Sequence, residues 1–167
     1  SETESLPAVV VWSDGRGGPN GGAANWSSGF LTSQHQGVEL RSGKTPVRDL
    51  FPAIAQPKGS DTAARAFLQK LNTRNAEHRG ADKMLSSRMR SYELAARMQL
   101  SVPEVSAING EQEHIRRQYG MGESRTEDAG RRCLLARRLL ERGVRFVQIY
   151  SGGPIGGSPR ASWDAHE

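Results

Sequence analysis

Ser124-Arg125-Thr126-Glu127-Asp128-Ala129-Gly130-Arg131-Arg132-Cys133-Leu134-Leu135-Ala136-Arg137-Arg138-Leu139-Leu140-Glu141-Arg142-Gly143-Val144-Arg145-Phe146-Val147-Gln148-Ile149-Tyr150 is the stretch that decides the fold. Ser124 to Glu127 has capping-box spacing, in which two side chains satisfy orphan N–H groups at a helix start. The pattern predicts a helix over 125–142. Ala129, Cys133, Ala136 and Leu140 fall on one face and read as its inner side, with Leu139 beside them. Cys133 on that face reads as a small packed hydrophobe. Gly143 stands where a glycine commonly ends a helix. Residues 144–150 follow at once as a strand, and a helix that stops at glycine and feeds a strand is half of a βαβ unit.

A second apolar run lies at the other end of the chain. Pro7-Ala8-Val9-Val10-Val11-Trp12 is short, continuous and rich in β-branched residues, as buried parallel strands are. The two runs are expected side by side, parallel, in one sheet, which makes the fold class α/β. Residues 13–60 carry many of the glycines and prolines and read as a long irregular excursion. Short strands are expected there around Val38–Leu40 and Val47–Leu50. Residues 61–142 read as helical. A first helix spans about 61–77, capped by Ser60 or Asp61, with Ala64, Phe67, Leu68 and Leu71 as its apolar stripe. A second spans about 82–100, with Leu85, Met89, Tyr92, Ala96 and Leu100 on one face and Pro103 ending it. A short third covers about 111–119.

Composition narrows the class further. Of 167 residues, 35% are hydrophobic, and 19 glycines and 8 prolines make the chain loop-rich. A typical domain is about 45–50% apolar on a slightly wider residue count. Residues 1–167 therefore read as a single partial domain: a core strand at 6–12, the excursion at 13–60, the helical segment at 61–142, a core strand at 144–150 and a site loop at 151–167. Both ends read as cut, so the chain is expected to be an interior fragment of a larger protein, marginal in isolation because its sheet lacks neighbours. The net charge of +5 permits an anionic partner. Arg131, Arg132, Arg137, Arg138 and Arg142 crowd one helix, but no aromatics interleave with them as in single-strand binders. They read as a solvated or salt-bridged face, and no nucleic-acid partner is expected. The single cysteine excludes an internal disulfide and a cysteine metal cluster. No apolar run approaches the ~18 residues of a membrane span.

Most motifs dissolve on inspection. Gly43-Lys44-Thr45 lacks the earlier glycine of a phosphate-binding loop, and Pro46 follows where a helix should propagate. The glycine-rich run 15–22 has Asn20 where a dinucleotide loop needs its third glycine. Asn25-Trp26-Ser27 matches a glycosylation acceptor, a tripeptide frequent by chance. His35, His78 and His114 are isolated and read as surface residues. Asp164-Ala165-His166 is the constellation with chemistry in it. Carboxylate oxygen and imidazole nitrogen both bind divalent ions. At i and i+2 on an extended segment the two side chains face the same way. The segment follows a strand and the glycine-rich stretch 152–157, and α/β proteins place their sites after strand ends.

The order of these motifs resembles a known family. Leu6 to Val11, then Gly21-Gly22-Ala23-Ala24-Asn25-Trp26-Ser27-Ser28-Gly29-Phe30-Leu31, then Ser91 to Gln99, residues 130–148 and Trp163-Asp164-Ala165-His166 together resemble an uncharacterised bacterial sulfatase-like family of the alkaline phosphatase superfamily. The resemblance implies a three-layer α/β/α fold of that type, with a mostly parallel sheet that is incomplete in this chain. It implies a longer parent, often carrying an export signal, and so periplasmic or extracellular. It implies a divalent metal in the full-length protein, with Asp164 and His166 as the ligands contributed here through the W-D-x-H motif. It also implies a substrate-facing loop that includes Asn25 and Trp26. The expected function is metal-dependent hydrolysis of sulfate or phosphate esters, this chain lacking the nucleophile. The alternative is a non-catalytic binding or surface protein on the same scaffold. Oligomeric state is not legible.

Overall fold

The computed structural model describes residues 5–13, 19, 21–41, 47, 57, 59–79 and 82–150. Three strands, β1 (Val9–Trp12), β2 (Val38–Leu40) and β3 (Phe146–Ile149), form one sheet in the order β2-β1-β3. Both pairings are parallel, with Val10 beside Val38 and Val147, and Trp12 beside Leu40 and Ile149. The fold is α/β with a parallel sheet, and the two apolar runs are neighbours as their composition required. The expected strand around Val47–Leu50 falls, apart from Val47, outside the described residues.

β1 is central because it can be buried on both faces. Val10, Val11 and Trp12 are all buried. Val10 and Trp12 join Leu40, Met98, Val102, Val105, Leu134, Leu135 and Leu139 in one apolar core. Burying an aliphatic side chain contributes roughly 1.5–3 kcal/mol, so these residues dominate the stability of the sheet–helix contact. β3 is an outer strand, with Phe146 57% and Ile149 37% exposed.

The described residues also form four α-helices: α1 (Ser60–Arg79), α2 (Lys83–Ser106), α3 (Glu113–Gln118) and α4 (Glu127–Glu141). Asp82 caps α2, its carboxylate accepting from the amides of Met84 and Leu85 at 2.8 and 3.2 Å. α4 ends as expected. Gly143 takes φ 86°, a conformation few side chains tolerate, and Val144 N bonds back to Leu139 O at 3.1 Å.

Several expectations about helix faces and ends are corrected. Cys133 is exposed, and so are Ala129 and Leu140. Those three positions of the expected stripe point outward, while Ala136 and the neighbouring Leu139 are buried as expected. The buried side of α4 carries Gly130, Arg132, Leu134, Leu135, Ala136 and Leu139, because three leucines remove more apolar area from water than Ala129, Cys133 and Leu140 would. Gly130 fixes this orientation: a Cβ there would lie 1.8 Å from Tyr119 O. The capping box does not form either. Thr126 precedes α4 without a side-chain cap bond, and its hydroxyl donates to Gly120 O at 2.7 Å instead.

α1 turns its apolar stripe to solvent, with Phe67 61%, Leu68 55% and Leu71 47% exposed. It attaches through Arg65, which donates to Gln99 Oε1 at 2.9 Å and Ala96 O at 3.4 Å. α2 continues through Pro103 to Ser106. Val102 and Val105, which flank the proline, are buried in the core, and their packing offsets the lost amide hydrogen bond. The buried side of α2 runs through Ser87, Met98, Val102 and Val105, whereas Tyr92, expected inside, is 78% exposed.

Candidate functional site: the carboxyl edge of the sheet

Three parallel strands that end in register bring three chain exits together. Trp12, Leu40 and Ile149 are partners in the ladders, so Ser13, Arg41 and Tyr150 leave the sheet at one edge. In open parallel sheets this carboxyl edge is where ligands bind.

The polar groups at this edge come from several elements. The Ser13 hydroxyl donates to the Glu39 carboxylate, linking the exit of β1 to β2. Tyr150 N donates to Trp12 O at 2.9 Å, extending the ladder by one residue. Gln148 Nε2 donates to the Tyr150 hydroxyl at 2.7 Å. From below, Arg132 of α4 donates to Tyr150 O at 2.7 Å and pairs with Asp128 at 2.8 Å. Arg132 is only 4% exposed. A buried guanidinium is costly unless its donors are used, and spending them on Tyr150 fixes the point at which the chain leaves β3.

The residues expected in the substrate-facing loop separate. Trp26 closes a short 3-10 helix, Gly22–Trp26, and is half-buried. Its ring meets that of Tyr150 with centroids 6.0 Å apart, tilted by 50°. Its carbonyl accepts from Gly37 N at 2.9 Å, and a Cβ at Gly37 would sit 3.0 Å from Trp26 Cβ and 3.2 Å from Val11. Glycine just before β2 therefore lets the tryptophan lie on β1. Asn25 is exposed, and its side-chain amide braces its own turn by donating to Gly22 O at 3.1 Å. Asp164 and His166 lie outside the described residues. Among the described residues, no group of three or more His, Cys, Asp or Glu could hold a metal ion. Of the carboxylates at the described part of the edge, Asp128 is paired with Arg132 and Glu39 accepts from Ser13, so a metal there would need further ligands.

Sequence reading missed Ser13, Glu39, Arg132 and Tyr150. The available signal for three of them was position alone, since each sits at or next to the carboxyl end of an expected strand. Arg132 carried no such signal within its run of arginines.

Arg137 and Arg138 of α4 and Arg142 at its C-cap pair away from this edge, as a salt-bridged face. Arg137 and Arg138 both reach Glu111, at 3.1 and 2.8 Å, and Arg142 reaches Glu104 at 3.1 Å. Desolvation pushes the Glu111 carboxyl up. The hydrogen bonds and charges of Arg137 and Arg138 together outweigh it and hold the group below the usual carboxylate range.

No helix among the described residues is long and apolar enough to cross a membrane. A family model described as "Protein of unknown function (DUF1501)" matches residues 1–167. No curated protein and no solved structure matches the chain. The resemblance to a sulfatase-like family of the alkaline phosphatase superfamily is thereby corrected: the match is to an uncharacterised family, and nothing points to the other.

Proposed function

We propose, from the premise that the chain belongs to the DUF1501 family, that the protein is a metal-dependent hydrolase of sulfate or phosphate esters with its site at the carboxyl edge of β2-β1-β3. The observation that carries this reading is the register of the three parallel strands, which opens Ser13, Glu39 and Tyr150 onto one edge. Asp164 and His166 follow Tyr150 in the sequence, and their i, i+2 spacing suits two ligands of one ion. The net charge of +5 favours an anionic substrate.

In this reading Asp164 and His166 hold a divalent cation, which when bound supplies Lewis-acid polarisation of an ester oxygen. Glu39 orients the Ser13 hydroxyl beside it. Trp26 and Tyr150 cover the edge against water, and Arg132 holds the Tyr150 carbonyl so that the following segment starts from a fixed point. The test uses the full-length protein, with calorimetric titration of Zn²⁺ and Mn²⁺ and turnover of p-nitrophenyl phosphate and sulfate. Metal binding and turnover are expected, both lost in His166→Ala with the circular dichroism unchanged. Metal affinity that is the same in the variant would remove Asp164 and His166 from the site. Metal binding without turnover of either ester would leave the alternative, a binding protein on this scaffold.

A further inference from the structure

At the opposite, amino-terminal end of the sheet lies a cavity of about 970 Å³. It sits between α2 and the segment that leads into β2. Its volume is in the range of small-molecule sites, about 300–1,000 Å³. The apolar part of its lining is built from buried or partly buried core residues: Leu6, Val38, Leu94 and Met98. Ser33, on the short 3-10 helix Ser33–His35, and Ser91 on α2 lie 3.4 Å apart, Oγ to Oγ, and join the two walls.

The charge of the lining is one-sided. Arg88, Arg90 and Arg97 line the cavity together with His35, and the described lining residues include no Asp or Glu. Some arginines of this protein are neutralised by carboxylates: Arg65 by Asp61, Arg117 by Glu113, Arg137 and Arg138 by Glu111, Arg142 by Glu104. Arg88 and Arg97 have no ion pair among the described residues. They stand nine positions apart on α2, about 13.5 Å along its axis at 1.5 Å per residue, with Leu94 between them in the chain. An apolar floor flanked by cations that lack carboxylates matches a ligand with an apolar body and an anionic head.

We propose that this cavity binds an amphiphilic organic anion, a sulfonate, phosphate or carboxylate head on an alkyl or aryl body, taken from solution as a single molecule. The apolar body lies on Leu94 and Met98, and a guanidinium of Arg88 or Arg97 takes the head through charge-assisted hydrogen bonds. The site is on the other end of the sheet from the proposed ester site and does not rest on that reading.

The probe is octanesulfonate, which has no ester to hydrolyse. It is titrated calorimetrically into the full-length protein below its micellar concentration, with octyl glucoside and inorganic sulfate as controls. Octanesulfonate is expected to bind more tightly than either control. Arg88→Gln or Arg97→Gln is expected to weaken it ~10-fold, the gain expected of one charge-assisted contact. The double variant Arg88→Gln/Arg97→Gln is expected to abolish binding, and Arg88→Lys/Arg97→Lys to restore most of it with an unchanged circular dichroism spectrum. Equal affinity for octyl glucoside, unchanged affinity in the double glutamine variant, or binding only to phosphatidylglycerol vesicles and not to the monomeric probe would each overturn the proposal.

Discussion

Gly130→Ala tests the packing that holds α4 against the core. The added Cβ would stand 1.8 Å from Tyr119 O and 2.9 Å from Tyr119 C, whereas real Cβ contacts essentially never fall under 3.0 Å. The helix or the Tyr119 backbone must therefore move by about 1.2 Å, the difference between the two distances. The obstacle is backbone, so no side chain can swing clear. Leu134 and Leu139, 0% and 1% exposed, sit on the same helix and would be drawn out of register with β1. Overpacking of this kind costs about 1–3 kcal/mol, and backbone obstruction places it at the upper end. Replacing glycine by alanine inside a helix returns roughly 0.8–1.0 kcal/mol. The net loss is about 1–2 kcal/mol, a fall in Tm on the order of several degrees. Gly110→Ala is the control, since nothing lies within 4 Å of a Cβ there, and it should stay within about 0.5 kcal/mol. The assay is thermal unfolding of both variants of the full-length protein, followed by circular dichroism. A Gly130→Ala protein as stable as the parent would refute the close approach of α4 to Tyr119.

Three further outcomes are expected. Cys133 is exposed, so a thiol reagent should label it in the folded protein within minutes, and protection until denaturant is added would contradict its placement on the outer side of α4. Arg132→Met should cost about 1–3 kcal/mol in a denaturant titration, because Tyr150 O loses a charge-assisted donor; unchanged stability would mean that Tyr150 is held by other contacts. Glu111→Gln should narrow the acid sensitivity of folding. The Glu111 carboxyl is depressed in the folded state, so its contribution is present above the ordinary value of 4.5 and lost as pH falls through the lower folded value. The stability gap between parent and variant should therefore close on acidification, and a gap that is constant with pH would show that Arg137 and Arg138 do not act on this group.

The sheet was legible in the sequence because β1 is a continuous β-branched run and β3 follows directly on the glycine that ends α4. Val9–Trp12, Val38–Leu40 and Phe146–Ile149 all lie where apolar runs stood, and Gly143 ended α4 because only its positive φ allows the reversal. Helix faces were less legible, because several faces carry comparable apolar content. On α4 the expected stripe was Ala129, Cys133, Ala136 and Leu140 with Leu139 beside it; contact with Tyr119 at Gly130 turns the helix so that Ala136 and Leu139 stay inside with Leu134 and Leu135, while Ala129, Cys133 and Leu140 face out. Pro103 misled for a related reason: buried valines on either side of it outweigh one missing amide bond. At the candidate site, Trp26 reached the carboxyl edge through its contact with Tyr150, while Asn25 serves its own turn. Ser13 and Glu39 carried no motif, since their pairing exists only once β1 and β2 lie in register.

The central claim is that the carboxyl edge of β2-β1-β3 is a metal-dependent site, and anomalous diffraction from Mn²⁺-soaked crystals of the full-length protein tests it most directly. The account predicts an anomalous peak at that edge, beyond Ser13 and Tyr150, bound by Asp164 and His166. A peak bound elsewhere, with Asp164 and His166 turned away from the edge, would contradict it.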